Sequence, residues 1–167
     1  RSPEVDDPFG AVDSLTRAHI ALTADEARRV LGPTPASRDS LMTALRRTMV
    51  DNLGLVRRSG IPVVTGTDAG NPLTLHGPAI HAEMEAMQRA GMKPADVLVA
   101  STRDAARAMG RQAELGTIEI GKSADLLIVG DDPTQDITHL RKLQWVMRSG
   151  VVRSGEELRA AVAKTRW

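Results

Sequence analysis

The chain has no cysteine and no tyrosine, and only one phenylalanine and two tryptophans in 167 residues. Without thiols neither a disulfide nor a thiolate metal ligand can form, and the compartment is left open. Phe9, Trp145 and Trp167 are too few for the stacked platforms that hold single-stranded nucleic acid. Neither sign of charge dominates: 22 Lys and Arg against 21 Asp and Glu leave a net charge of +1, so no strong field steers a polyanion toward the surface. No uninterrupted apolar run approaches the roughly 20 residues that a membrane-spanning helix needs. Neither nucleic acid nor membrane is therefore expected as a partner. What remains is a chain with 41% hydrophobic and 26% charged residues, the composition of a globular domain whose core relies on Leu, Val, Ile, Ala and Met.

The most informative stretch is Ile61-Pro62-Val63-Val64-Thr65-Gly66-Thr67-Asp68-Ala69-Gly70. It reads as a short apolar strand over residues 61–65, buried on both faces as in a parallel sheet, ending in one carboxylate on a glycine-flanked loop. Barrel enzymes place their chemistry at this end of a strand, although an aspartate there can equally cap a turn. The loop continues through Asn71, Pro72 and His76-Gly77, and Pro78 fits the first turn of a helix ending near Gly91, with Ile80, Met84 and Met87 on one apolar face. Strand, loop and helix make one βα unit.

Around that unit, Thr23 and Glu26 have capping-box spacing and open a short helix to Gly32, and a longer helix runs from Ser37 to Gly60 with Leu41, Leu45, Met49, Leu53 and Val56 as its buried stripe. Pro94 starts another short helix, and Thr102 is expected to cap one ending at Gly110. Beyond Gly110 the period shortens. Leu115 to Ile120, Leu126 to Val129, Trp145 to Arg148 and Val151-Val152 read as strands, Ile137 to Leu143 as a helical turn, and Ser154 with Glu157 as a capping box before a final amphipathic helix.

These residues resemble the amidohydrolase superfamily, and within it the branch related to imidazolonepropionases and Xaa-Pro dipeptidases. The resemblance rests on Gly66-Thr67-Asp68-Ala69-Gly70, His76-Gly77, Glu83, the Ala90 to Pro94 corner, Ala100-Ser101-Thr102, and the run from Gly116 to Leu126 with Asp132-Pro133 and Val146 to Gly150. It spans roughly Ser40 to Val152; no motif is recognised before Ser40. It implies an α/β fold: residues 1–110 as the last units of a (β/α)8 barrel, residues 111–167 as the C-terminal part of a small β-sandwich with a terminal helix. A complete barrel needs about 250 residues. The family builds its site from an H-x-H pair on the first strand, a bridging group on the fourth, histidines on the fifth and sixth, and an aspartate on the eighth. Only the aspartate is matched, because His19, His76, His81 and His139 form no H-x-H pair. The chain is expected to be the C-terminal portion of a longer enzyme, with any signal peptide lost if the natural N-terminus is missing; a cytoplasmic location is favoured but not established.

The resemblance makes Asp68 both metal contact and catalytic base, in an enzyme that binds a divalent metal, zinc favoured, as one or two ions. The isolated chain is then expected to bind metal poorly and to be inactive. His76 and Asn71 are candidate substrate contacts, with loop stabilisation and turn geometry as their bland alternatives. Glu83 fits the family pattern, but a salt-bridged helix face is the simpler expectation; His81 is expected to pack or be solvated, and His19 and His139 to lie on the surface. The expected activity is hydrolysis of an amide, peptide or cyclic amide C–N bond in a small or dipeptide-like substrate. The alternative is a non-catalytic association domain. Either way, strand edges left without neighbours favour a homo-oligomer.

Overall fold

A proline in the first turn of a helix gives up a donor that would have no partner there. Three helices begin on one: α1 (Pro35–Arg58), α2 (Pro78–Arg89) and α3 (Pro94–Ser101). The computed structural model describes residues 22, 34–70 and 74–164, so the expected helix at Thr23 to Gly32, His19 and Asn71 lie outside the described residues. After α3 come α4 (Arg103–Ala108), a run of turns, β1 (Leu126–Val129), a 3₁₀ turn (Ile137–Arg141), β2 (Leu143–Arg148), β3 (Val151–Ser154) and α5 (Gly155–Lys164).

The three strands form one antiparallel sheet in the order β1-β2-β3, with Leu126 opposite Met147, Ile128 opposite Trp145, and Met147 opposite Val152. Ser149 (φ 49) and Gly150 (φ 81) make the two-residue turn between β2 and β3, both in the left-handed region that matches the twist of a hairpin. The tip is tied back: Ser149 N donates to Asp125 Oδ1 at 2.6 Å and Gly150 N to Ala124 O at 3.0 Å. The Ser154 capping box forms as its spacing predicts, with Ser154 N donating to Glu157 Oε2 at 2.7 Å and Glu157 N to Ser154 Oγ at 3.0 Å.

One apolar cluster holds these pieces together. Met84 and Met87 of α2 pack with Met92, Val97 and Ala100 around α3 and with Ile137 and Leu140 of the 3₁₀ turn; Leu53, Val63, Ile80, Leu98 and Val129 lie against it. Polar bonds reinforce the same joint. Gln88 Oε1 accepts from Ile137 N at 2.7 Å while its Nε2 donates to Asp136 Oδ1 at 3.2 Å, and Arg141 Nε donates to Glu85 Oε1 at 2.6 Å. Arg57 of α1 reaches Asp96 of α3 at 2.9 Å.

Several expectations are corrected. Residues 61–65 form no strand, and Ile61, Pro62 and Val64 are exposed with Val63 and Thr65 half-buried, instead of being buried on both faces. A strand exists only through a neighbour's hydrogen bonds, and among the described residues no neighbour reaches this segment. The same reason applies to Leu115 to Ile120, which is irregular chain with bends, with Ile118 and Ile120 exposed. The stripe of α1 is not buried throughout: Leu41, Leu45 and Met49 are exposed, while Leu53 and Val56 are half-buried. Thr102 precedes α4 without capping it by its side chain, because its hydroxyl donates backward to Leu98 O at 2.6 Å.

The shared cluster makes a direct stability test. Ile137→Ala, at a side chain 2% exposed, should lower the unfolding free energy by about 2–5 kcal/mol through lost burial and a residual cavity. Ile120→Ala, at a fully exposed residue, should stay within about 0.5 kcal/mol of wild type. Urea midpoints measured on both variants check the contrast.

Candidate active site

The segment carrying Asp68 leaves α1 through a tight C-terminal turn. Gly60 (φ 73) bends the chain, its N–H donating to Arg57 O at 3.0 Å while Ile61 N donates to Val56 O at 3.2 Å. This paired pattern satisfies the last carbonyls of a helix and redirects the backbone sharply. Val63 then turns into the apolar cluster, while Ile61 and Val64 face outward.

At the far end the chain is caught again. Gly66 N donates to Glu83 Oε1 of α2 at 2.8 Å, two residues before Asp68. Glu83 is therefore not part of a salt-bridged helix face; its carboxylate faces the loop, and its other oxygen, Oε2, is buried with no hydrogen-bond partner among the described residues. Asp68 is exposed and sits at φ 50, a left-handed conformation that aspartate tolerates better than most residues. Gly70 (φ 106) follows, and its N–H donates to Thr74 O at 3.0 Å, closing the loop.

His76 returns to this loop. A Cβ placed on Gly70 would lie 3.5 Å from His76 Nε2, so the imidazole rests against the glycine two residues beyond Asp68. Asp68 and His76 thus share one exposed loop between Val63 and α2. His81 sits half-buried on α2. His139 is half-buried as well, and its Nδ1 lies 2.7 Å from Asp132 O, so it braces the turn before the 3₁₀ helix and is not a plain surface residue.

The residues present do not by themselves compose a metal centre. Among the described residues no three His, Asp or Glu side chains come together in a way that holds an ion, whereas catalytic zinc takes about three protein ligands. What the loop offers is one exposed carboxylate with an imidazole nearby.

Two contacts were not foreseen. Glu83 stands three residues after Ile80 and four before Met87, inside the apolar stripe of α2, and a carboxylate at that position signals an inward partner. Gln88 likewise follows Met84 by four, but nothing local marks its partners, which lie 48 and 49 residues away.

The chain belongs to the amidohydrolase family, whose family model matches residues 11–155. That match begins well before Ser40, where no motif is evident by eye. Among curated relatives, the imidazolonepropionase of Aeromonas hydrophila is 34% identical over 127 residues, covering 72% of this chain and 29% of its own length. That of Thermoplasma volcanium is 36% identical over 81 residues, covering 48% of this chain and 20% of its own. The chain therefore spans less than a third of the length of these relatives. Among solved structures, a bottromycin amidohydrolase superposes with a TM-score of 0.70 at 26% identity, covering 98% of this chain and 36% of the other. A Xaa-Pro dipeptidase with bound methionine gives 0.62 at 25% identity, covering 83% and 33%. The suspected branch is the one found, and the fold is that of the same TIM-barrel superfamily.

The carboxylates held below their usual range lie in the C-terminal segment. Asp136 is kept ionised first by the Thr138 amide, then by the Thr138 hydroxyl, with Gln88 and the charge of His139 adding to them. Asp132 is held by the Thr134 hydroxyl and amide, and Asp131 by Lys142. A carboxyl that binds its proton less readily when folded contributes stability that is complete above the ordinary carboxylate range and is lost as pH falls through it toward the lowered folded value. Urea midpoints should therefore drop through that acidic window. Asp136→Asn should flatten the drop; an unchanged slope in the variant would show that the Asp136 cap does not couple to folding.

Proposed function

We propose that this chain is the C-terminal portion of a metal-dependent amidohydrolase that cleaves an amide, peptide or cyclic amide C–N bond. The observation that carries the reading is the exposed Asp68 on its glycine-flanked loop, with His76 against the same loop, in a chain that belongs to this family. The proposed arrangement is the final units of a (β/α)8 barrel followed by part of a small β-sandwich, of which the β1-β2-β3 sheet would be one layer.

Hydrolysis of a C–N bond needs a proton taken from the attacking water and one delivered to the departing nitrogen. Asp68 is assigned both tasks: its carboxylate accepts the water proton as the oxygen adds to the carbonyl carbon, then donates it to the nitrogen as the C–N bond breaks. A divalent metal, zinc favoured, as one or two ions, would supply Lewis-acid activation when bound. Its remaining ligands would have to come from outside the described residues, and this chain alone is expected to be inactive. His76 and Asn71 are assigned to contacts with the substrate, which is small or dipeptide-like, in keeping with the imidazolonepropionase and Xaa-Pro dipeptidase that the chain resembles.

The base role sets the first test. In the metal-loaded enzyme containing this chain, assayed on Xaa-Pro dipeptides and cyclic amides, Asp68→Asn should lower kcat by about 10²–10⁴-fold with the fold retained. The amide is nearly the same shape but cannot take the proton at neutral pH. Near wild-type turnover in a correctly metallated variant would make Asp68 structural.

A second reading, a domain that works by association, draws on the exposed apolar surface: Leu41, Leu45, Met49 and Leu55 along α1, and Leu127, Trp145 and Val151 on the sheet. Apolar faces beside open strand edges recruit another chain. Both readings expect the 167-residue chain to form a homo-oligomer. Light scattering across a dilution series checks this, and a compact monomer that unfolds cooperatively at every concentration would overturn it.

A further inference from the structure

Glu83 is not among the groups assigned to the chemistry, yet its geometry ties it to the loop that carries them. It projects from α2, and its Oε1 accepts the Gly66 amide at 2.8 Å. Its Oε2 is buried and has no hydrogen-bond partner among the described residues. A carboxylate serving only to solvate a helix face has no reason to withdraw an oxygen from water, because an unsatisfied buried acceptor works against folding. A charged acceptor also makes a stronger bond to a backbone N–H than a neutral one does.

The position of the bond matters. Among the described residues no strand pairs with residues 61–65, so none of them fixes where the segment ends. The Gly66 bond to Glu83 lies two residues before Asp68, and the bond from Gly70 N to Thr74 O lies two residues after it, within the loop itself. Between them Asp68 occupies φ 50, a conformation that an unrestrained chain seldom populates at a residue other than glycine.

We infer that Glu83 is a positioning residue: through the Gly66 amide it fixes the turn that presents the Asp68 carboxylate. The inference rests on the proposed role of Asp68 for its catalytic consequence, but the anchoring itself is a property of the loop and can be measured without turnover.

The experiment compares wild type, Glu83→Gln and Glu83→Ala in the full-length protein containing this chain. Amide hydrogen exchange is read at Gly66 and at Val97, a core residue that is 0% exposed. In Glu83→Ala, Gly66 should exchange at least about tenfold faster while Val97 is unchanged. In Glu83→Gln the side-chain oxygen still accepts the bond, and Gly66 protection should return to near the wild-type level. If Glu83→Ala also exposes Val97, the chain has unfolded, and Glu83→Asp takes its place: it keeps the charge, is one methylene too short, and should lose Gly66 protection alone. Unchanged Gly66 exchange in the folded Ala or Asp variant would overturn the assignment.

Kinetics supply the second arm. With the metal-loaded enzyme and Xaa-Pro dipeptides or cyclic amides as substrates, the Ala or Asp variant should lose at least about tenfold in kcat with KM within about threefold, and Glu83→Gln should restore kcat. Loss of Gly66 protection with kcat unchanged would reduce Glu83 to a structural staple and overturn the positioning role. No turnover by the wild type on any substrate tested would count against the proposed hydrolysis; the exchange measurement then decides the anchoring role by itself.

Discussion

Burial of the Met84 and Met87 face of α2 is the interaction on which the rest depends. Those two side chains meet Val97 and Ala100 of α3 on one side and Ile137 and Leu140 on the other. Among the described residues this cluster, which Val129 of β1 joins, is the sheet's apolar anchor on α2 and α3, while Leu127, Ile128, Trp145, Val151 and Val152 are exposed. The burial is apolar and non-directional, so it fixes proximity but not orientation. Orientation comes from the polar pairs around it. Gln88 grips both Ile137 N and Asp136, and Arg141 meets Glu85, so rotation of the 3₁₀ turn over α2 would break several bonds at once. None of these pairs is worth much alone in a half-exposed setting; together they select one arrangement among those that the hydrophobic contact permits.

The sequence was most readable where structure is set by neighbours along the chain. Pro78, Pro94 and the periodic Ile80, Met84 and Met87 mark helices that form close to the expected limits, and the Ser154 to Glu157 box closes reciprocally. The Ser149-Gly150 turn and the strands around it were legible for the same reason. Where structure depends on a partner far along the chain, the reading failed. Residues 61–65 and 115–120 have the composition of strands but find no ladder among the described residues. The α1 stripe has helical period and apolar content, yet Leu41, Leu45 and Met49 lie open. Periodicity reports which face a helix would bury, not whether anything is present to bury it.

The candidate site divides along the same line. Asp68 and His76 could be named from a local motif, and they lie on one loop, with the imidazole against Gly70. Their functional roles go beyond what that placement establishes. Glu83 was weighed in sequence as a helix-face charge, although Ala86 and Met87, its i+3 and i+4 neighbours, offer it no ion pair; its place in the apolar stripe points inward, but the partner itself, a backbone amide 17 residues earlier, is named by no spacing along the helix. Backbone acceptors and donors are invisible to motif reasoning, yet buried polar side chains most often satisfy themselves through them.

The absence of a ladder at residues 61–65 raises the question of how the Asp68 loop keeps a defined shape. Three restraints stand in for a neighbouring strand. The Gly60 turn ties Ile61 N to Val56 O at the start, Val63 packs into the α2–α3 cluster in the middle, and Gly66 N meets Glu83 at the end. Each restraint acts on a different part of a segment only six residues long, from Ile61 to Gly66, and that leaves little slack. An extended strand of this length covers roughly 20 Å, at about 3.3 Å per residue, so fixing both ends and the centre determines its course nearly as well as hydrogen bonds along one edge would. Among the described residues, none of these three restraints uses the backbone groups of residues 62–65. A parallel neighbour could therefore pair with residues 62–65 without first breaking any of the three restraints that hold the Asp68 loop.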